Sequence, residues 1–91
     1  MRAMFIDVYF TGNLPVDRDE VEDAFADLGD FEVVGAGGSD VGSHIDLELV
    51  SDLPRSEALQ AVANVLRGLG LAEISYLKPS DTAERIEVAD L

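Results

Sequence analysis

The chain has 91 residues, of which 19 are acidic and six basic, so its formal net charge is −13 at pH 7. A chain of this length forms one domain (residues 1–91) whose small core leaves no room for a large internal active site. The lack of cysteine excludes a disulfide framework, a thiolate metal site and a cysteine nucleophile. The charge disfavours nucleic acids and anionic membranes as partners. It serves either solubility, including adaptation to a salty cytoplasm, or the binding of a basic protein.

The first predicted element is a strand over residues 4–10, "MFIDVYF", in which apolar and other side chains alternate. Ile6 and Val8 are expected to face the core. The side chains predicted to face away from it are Phe5, Asp7 and Tyr9.

A helix is predicted after the break "TGNLP". Asp17 and Glu20 have the spacing of a capping box, and Gly29 is placed to end the helix in a left-handed conformation. The apolar stripe expected to be buried consists of Val21, Ala24, Phe25 and Leu28.

A short strand over residues 31–34 is predicted to lead into a glycine-rich hairpin loop, "GAGGSDVGS", over residues 35–43. The loop resembles a phosphate-binding turn only in its glycines, because Asp40 replaces the last glycine of that motif and a strand follows instead of a helix. Its predicted role is a long, mobile hairpin loop. The alternative is a binding loop that orders on a partner, with Asp40 as the contact residue.

Residues 44–50, "HIDLELV", alternate most clearly of all. Ile45, Leu47 and Leu49 are predicted to face the core. The side chains predicted to face away are His44, Asp46, Glu48 and Val50. A second helix follows over residues 56–69, with a buried stripe of Leu59, Val62, Ala63 and Leu66.

A fourth strand is predicted over residues 72–77, "AEISYL", and residues 79–91 form either an extra strand or a frayed tail. The order β-α-β-β-α-β predicts an α+β, ferredoxin-like domain. Its four-stranded antiparallel sheet would have the order 4-1-3-2, with both helices on one face.

The layout of residues 4–78 resembles the α/β plait of ferredoxin-like domains. The stretches "IDVYFTG", "GAGG" and "HIDLEL" are similar to small bacterial proteins whose genes can lie near toxin and immunity loci. The resemblance itself names no activity, but the acidic charge suits an immunity protein or inhibitor that binds a basic partner. The same fold includes ACT-type sensors of small ligands, which is the alternative function, and RNA-binding modules, which a carboxylate-rich sheet face excludes.

The uncovered sheet face is therefore the predicted binding site of a non-enzymatic, acidic protein-binding module. Its predicted residues are Phe5, Asp7, Tyr9, His44, Asp46 and Glu48, with Asp40 in the loop. A third hypothesis is a small enzyme that uses His44 with an acidic residue. Against catalysis, side chains two apart on a strand lie about 6.6 to 7 Å apart and point outward in parallel, so we expect His44 and Asp46 not to converge.

No metal site and no cofactor are predicted, because no ligand spacing such as an EF-hand loop or HExxH occurs. A homodimer through the open face or an edge strand is expected. We expect a cytoplasmic location, since no apolar signal segment or membrane-spanning run is evident.

Overall fold

The computed structural model describes residues 4–12, 14–39 and 42–91, which form an antiparallel sheet of five strands and two α-helices. The strands are β1 (Met4–Thr11), β2 (Phe31–Ser39), β3 (Gly42–Leu49), β4 (Ser75–Pro79) and β5 (Ile86–Glu87), and the helices are α1 (Arg18–Ala26) and α2 (Arg55–Gly68). The strand order is β2-β3-β1-β4-β5. The α+β class is confirmed, but the predicted sheet of four strands is wrong because β5 adds a fifth strand beyond β4.

One core lies between the sheet and the two helices. The fully buried side chains include Ile6 and Val8 of β1, Ile45 and Leu47 of β3, Phe25 of α1, and Val62 and Leu66 of α2. These residues were expected in the core. Leu28 was also expected there, but it is 38% exposed because α1 ends at Ala26 and Leu28 lies beyond the helical stripe.

The start of α1 differs from its predicted form. Asp17 precedes the helix in an extended conformation, but its side chain makes no capping hydrogen bond, so the predicted capping box is wrong. Asp19 and Glu20 lie in the first turn, where the helix dipole favours negative charge. Gly29 has φ +77°, which confirms the left-handed conformation expected after the helix.

The glycine-rich segment is mostly strand, not loop. β2 runs to Ser39 and pairs with β3 along its length, with a bulge between Val33 and Gly35. Backbone pairing with β3 compensates for the weak strand propensity of glycine. The predicted loop over residues 35–43 is therefore wrong for residues 35–39 and 42–43, while Asp40 lies outside the described residues.

The C-terminal segment is packed, not frayed. Residues 72–74 form a 3₁₀ helix instead of strand, so the fourth strand begins at Ser75. After β5, Val88 is fully buried. The Arg67 Nη2 atom donates hydrogen bonds to the Val88 carbonyl at 3.2 Å and the Leu91 carbonyl at 2.6 Å, which ties the segment to α2.

Candidate functional site

The sheet face opposite the helices is here called the open face. Two rows of residues run across its strands. Residues that lie opposite each other in neighbouring strands share a face and touch. The aromatic row consists of Gly37, His44, Tyr9, Tyr76 and Glu87. The acidic row consists of Gly35, Asp46, Asp7 and Lys78.

The aromatic row is a continuous stack. The Tyr9 and Tyr76 rings are 5.2 Å apart between centroids and nearly parallel, and the His44 ring lies 5.7 Å from Tyr9 on the neighbouring strand β3. The Arg85 guanidinium covers Tyr76, 4.5 Å from the ring centroid, and donates a hydrogen bond to Glu87 Oε1 at 3.2 Å. Stacked rings and cation–π contacts hold these side chains upright on the sheet.

The acidic row places two carboxyl groups face to face. Asp7 lies directly opposite Asp46, with Lys78 on its other side. Burial raises the pKa of Asp7, and the charge of Asp46 and a hydrogen bond between the two carboxyl groups raise it further. His44 and Lys78 act against this shift in the pKa of Asp7. Asp7 therefore holds its proton more tightly than an exposed aspartate does, and its ionised form is disfavoured beside Asp46.

Burial raises the pKa of the Tyr9 hydroxyl as well, and the negative charges of Asp7 and Asp46 add to the effect. Ionised tyrosine is disfavoured beside two carboxylates because like charges repel. Tyr9 therefore stays a neutral hydroxyl that can donate and accept hydrogen bonds.

A second like-charged pair lies further along the sheet. Glu48 of β3 faces Glu32 of β2 on one side and Phe5 of β1 on the other. Phe5 is 39% exposed and therefore presents an apolar surface beside the two carboxylates. Like charges opposite each other in antiparallel strands destabilise a sheet by a few tenths to about 1 kcal/mol.

His44 and Asp46 approach each other, contrary to the sequence-based expectation. The distance between His44 Nε2 and Asp46 Oδ2 is 3.8 Å, although the two residues are separated by one residue on the same strand. Both side chains lean over β2, where Gly37 and Gly35 have no side chain to oppose them. The side chains remain about a third exposed, so water reaches the pair.

The structure brings six of the seven predicted site residues together on the open face. These residues are Phe5, Asp7, Tyr9, His44, Asp46 and Glu48. The sequence analysis missed Tyr76, Lys78 and Glu32, which lie on the same face. Two of them, Tyr76 and Lys78, alternate in the sequence with Ser75 and Leu77, which are buried. This alternation could have placed both on the open face.

Two further findings concern metal ligands and membrane-spanning helices among the described residues. In the part of the chain that the structure describes, no group of three or more His, Cys, Asp or Glu side chains is arranged to hold a metal ion. Across residues 4–12, 14–39 and 42–91, no helix has the length and apolar character needed to cross a membrane.

No protein-family model matches this chain, and comparison with curated proteins and with solved structures finds no match. Evidence for a function therefore comes from the open face and its residues.

Proposed function

We propose that this chain is a non-enzymatic module that binds a basic segment of a partner protein on its open face. The observation that supports this most strongly is the pairing of like charges, Asp7 with Asp46 and Glu32 with Glu48, on one accessible surface. Each pair costs stability in the free protein. Lysine or arginine side chains of a partner would relieve the repulsion and gain charge-assisted hydrogen bonds.

The same face offers apolar contact area next to the charges. Phe5 is exposed beside Glu48. Tyr9 and Tyr76 are half-buried, and the Tyr9 ring packs against the rings of Tyr76 and His44. Rigid aromatic side chains are common energetic centres of protein interfaces because they lose little conformational freedom on binding. An aromatic centre flanked by carboxylates suits a partner segment with mixed apolar and basic residues.

Catalysis through His44 is the weaker interpretation. His44 and Asp46 are close enough to interact, but their side chains are 38% and 34% exposed. An acid–base pair on an open sheet excludes little water and has no surrounding walls to orient a substrate. The geometry therefore supports recognition of a surface better than conversion of a small molecule.

The sheet supports a ferredoxin-like assignment as part of this proposal. The run β2-β3-β1-β4 has the neighbours expected for that fold, and β5 extends it at one edge. Within this fold, the role we propose is a small acidic inhibitor or immunity protein for a basic partner. The net charge of −13 would speed association with such a partner and make it salt-dependent.

The test compares two double variants that change the net charge equally. Asp46→Asn with Glu48→Gln removes two carboxylate charges from the open face, and Asp19→Asn with Glu20→Gln removes two from exposed side chains in the first turn of α1. Binding of a labelled oligo-arginine peptide is measured by fluorescence anisotropy at low and high NaCl concentration. A carboxylate–cation contact in water contributes about 1 kcal/mol at 4 Å, and the open-face variant removes two such contacts. It should therefore bind about 30-fold more weakly at low salt.

The α1 variant should bind almost as well as the wild type, and the salt dependence should flatten only for the open-face variant. Equal weakening by both double variants would mean that overall acidity, not the open face, attracts the peptide, and the proposal would be rejected. Circular dichroism of each variant confirms that the fold is intact before affinities are compared.

A further inference from the structure

Two glycines on β2 lie under the polar side chains of β3. Gly35 is opposite Asp46, and Gly37 is opposite His44. A Cβ atom on Gly35 would lie 2.7 Å from Asp46 Oδ2, and a Cβ atom on Gly37 would lie 2.6 Å from His44 Cε1. Both distances are well below the normal contact distance of non-bonded carbon atoms. Asp46 and His44 therefore occupy space that side chains on β2 would otherwise fill.

Backbone conformation does not explain these two glycines. Neither has φ in the left-handed region, whereas Gly29 has φ +77° and Gly70 has φ +75°. Alanine could adopt the extended backbone of β2, where it has a better strand propensity than glycine. The requirement for glycine comes from the side chains across the strand pair, not from a turn.

We propose that Gly35 and Gly37 are positioning residues of the open face, which place Asp46 and His44 side by side over β2. The purpose of this positioning rests on the proposed function, because the Asp46–His44 pair is taken to contact a cationic group of the partner. The pair then extends the acidic surface from β1 and β3 to the edge strand β2. The ligand class is a guanidinium or ammonium group that approaches from that edge.

The space above Gly35 also fixes where the Asp46 carboxylate lies relative to its other neighbours. Asp46 lies between Asp7 of β1 and Gly35 of β2, and only Gly35 leaves room for its side chain. In this position Asp46 Oδ2 is 3.8 Å from His44 Nε2. A Cβ atom at position 35 would displace the Asp46 carboxylate and change its distances to both His44 and Asp7.

NMR spectroscopy of Gly35→Ala, Gly37→Ala and Gly68→Ala tests the positioning role without any partner. Gly68 is the matched control, because a Cβ atom there would meet nothing within 4 Å and its φ is not left-handed. In the wild type we expect a nuclear Overhauser effect between His44 Hε1 and the Gly37 Hα protons. This effect should be lost in Gly37→Ala and kept in Gly68→Ala.

Carboxyl-carbon titration of Asp7 gives the second readout. The charged groups that face Asp7 are Asp46, His44 and Lys78. Gly35→Ala should change the pKa of Asp7, since the Asp46 carboxylate that raises it is displaced, and Gly68→Ala should leave it unchanged. All three variants should remain folded, because the displaced atoms are the ends of side chains that can rotate. Unchanged Overhauser effects together with an unchanged Asp7 titration would overturn the positioning role.

The oligo-arginine peptide then distinguishes this inference from the proposed function. Gly35→Ala and Gly37→Ala keep every charge, so about fivefold weaker binding would reflect altered placement alone. Unchanged affinity in both, where Asp46→Asn with Glu48→Gln does weaken binding, would overturn the claim that the placement serves the partner. If the neutralising variant also binds normally, the proposed function fails, and the NMR readouts alone decide whether the glycines position the pair.

Discussion

Replacement of Asp7 by asparagine should stabilise the protein at neutral pH. Asp7 and Asp46 are directly opposed, and burial and repulsion raise the pKa of Asp7 above its ordinary value of 3.8. A raised carboxyl pKa means that the folded state binds the proton more tightly than the unfolded state. Asp7 therefore favours folding most below about pH 3.8 and loses that contribution as the pH rises through its raised pKa.

The expected gain follows from the cross-strand geometry. Two carboxylates about 4 Å apart in water repel by about 1 kcal/mol, and measured like-charge pairs across strands lie in the same range. Lys78 and His44 offset part of this repulsion, so we expect Asp7→Asn to stabilise by about 0.5 kcal/mol. Asparagine keeps the shape and can donate a hydrogen bond to Asp46 as protonated Asp7 does. For a domain of this size the Tm should rise by about 3 °C.

Thermal unfolding followed by circular dichroism at about pH 7 and about pH 3 measures the effect. Asp19→Asn is the matched control, because it removes the same charge from the first turn of α1 and should destabilise by about 0.3 to 1 kcal/mol. The gain from Asp7→Asn should vanish at the lower pH, where Asp7 itself is protonated. A lower Tm at neutral pH, or an equal gain at both pH values, would refute the account of the Asp7–Asp46 pair.

Other consequences of the fold are open to measurement. Leu47→Ala should cost about 2 to 5 kcal/mol in urea unfolding because Leu47 is fully buried in β3, whereas Leu28→Ala should cost less than about 0.5 kcal/mol because Leu28 is exposed. A comparable cost for both would contradict the placement of the core. Sedimentation velocity should show a dimer that is stronger at high salt, where repulsion between chains of charge −13 is screened. A monomer at both low and high salt would exclude self-association through the open face or an edge.

The two central strands were predictable because their side chains alternate without interruption. In β1 and β3 this pattern alone places Ile6 and Leu47 in the core and Asp7 and Asp46 on the opposite face, as observed. The helix stripe failed at Leu28, since the pattern does not show where α1 ends. The sequence predicted a strand most reliably where every second residue is apolar, as in β1 and β3.

Other errors involve pairing between strands, which the pattern of a single segment does not show. The glycines at positions 35–38 have loop-like composition, and only the presence of β3 beside them makes them strand. β5 has two residues, too few for a recognisable pattern, and is fixed by pairing with β4. His44 and Asp46 approach each other because Gly35 and Gly37 of β2 have no side chains to oppose them. The sequence of β3 alone does not show this.

The stacked tyrosines also give the molecule a built-in optical signal. The chain contains two tyrosines and no tryptophan, and both tyrosines lie in the aromatic row of the open face. Tyrosine fluorescence and tyrosine circular dichroism therefore originate from this one surface, whereas the buried phenylalanines give only weak signals at shorter wavelengths. A partner that binds the open face changes the surroundings of both tyrosines at once, so its binding can be followed in unlabelled protein.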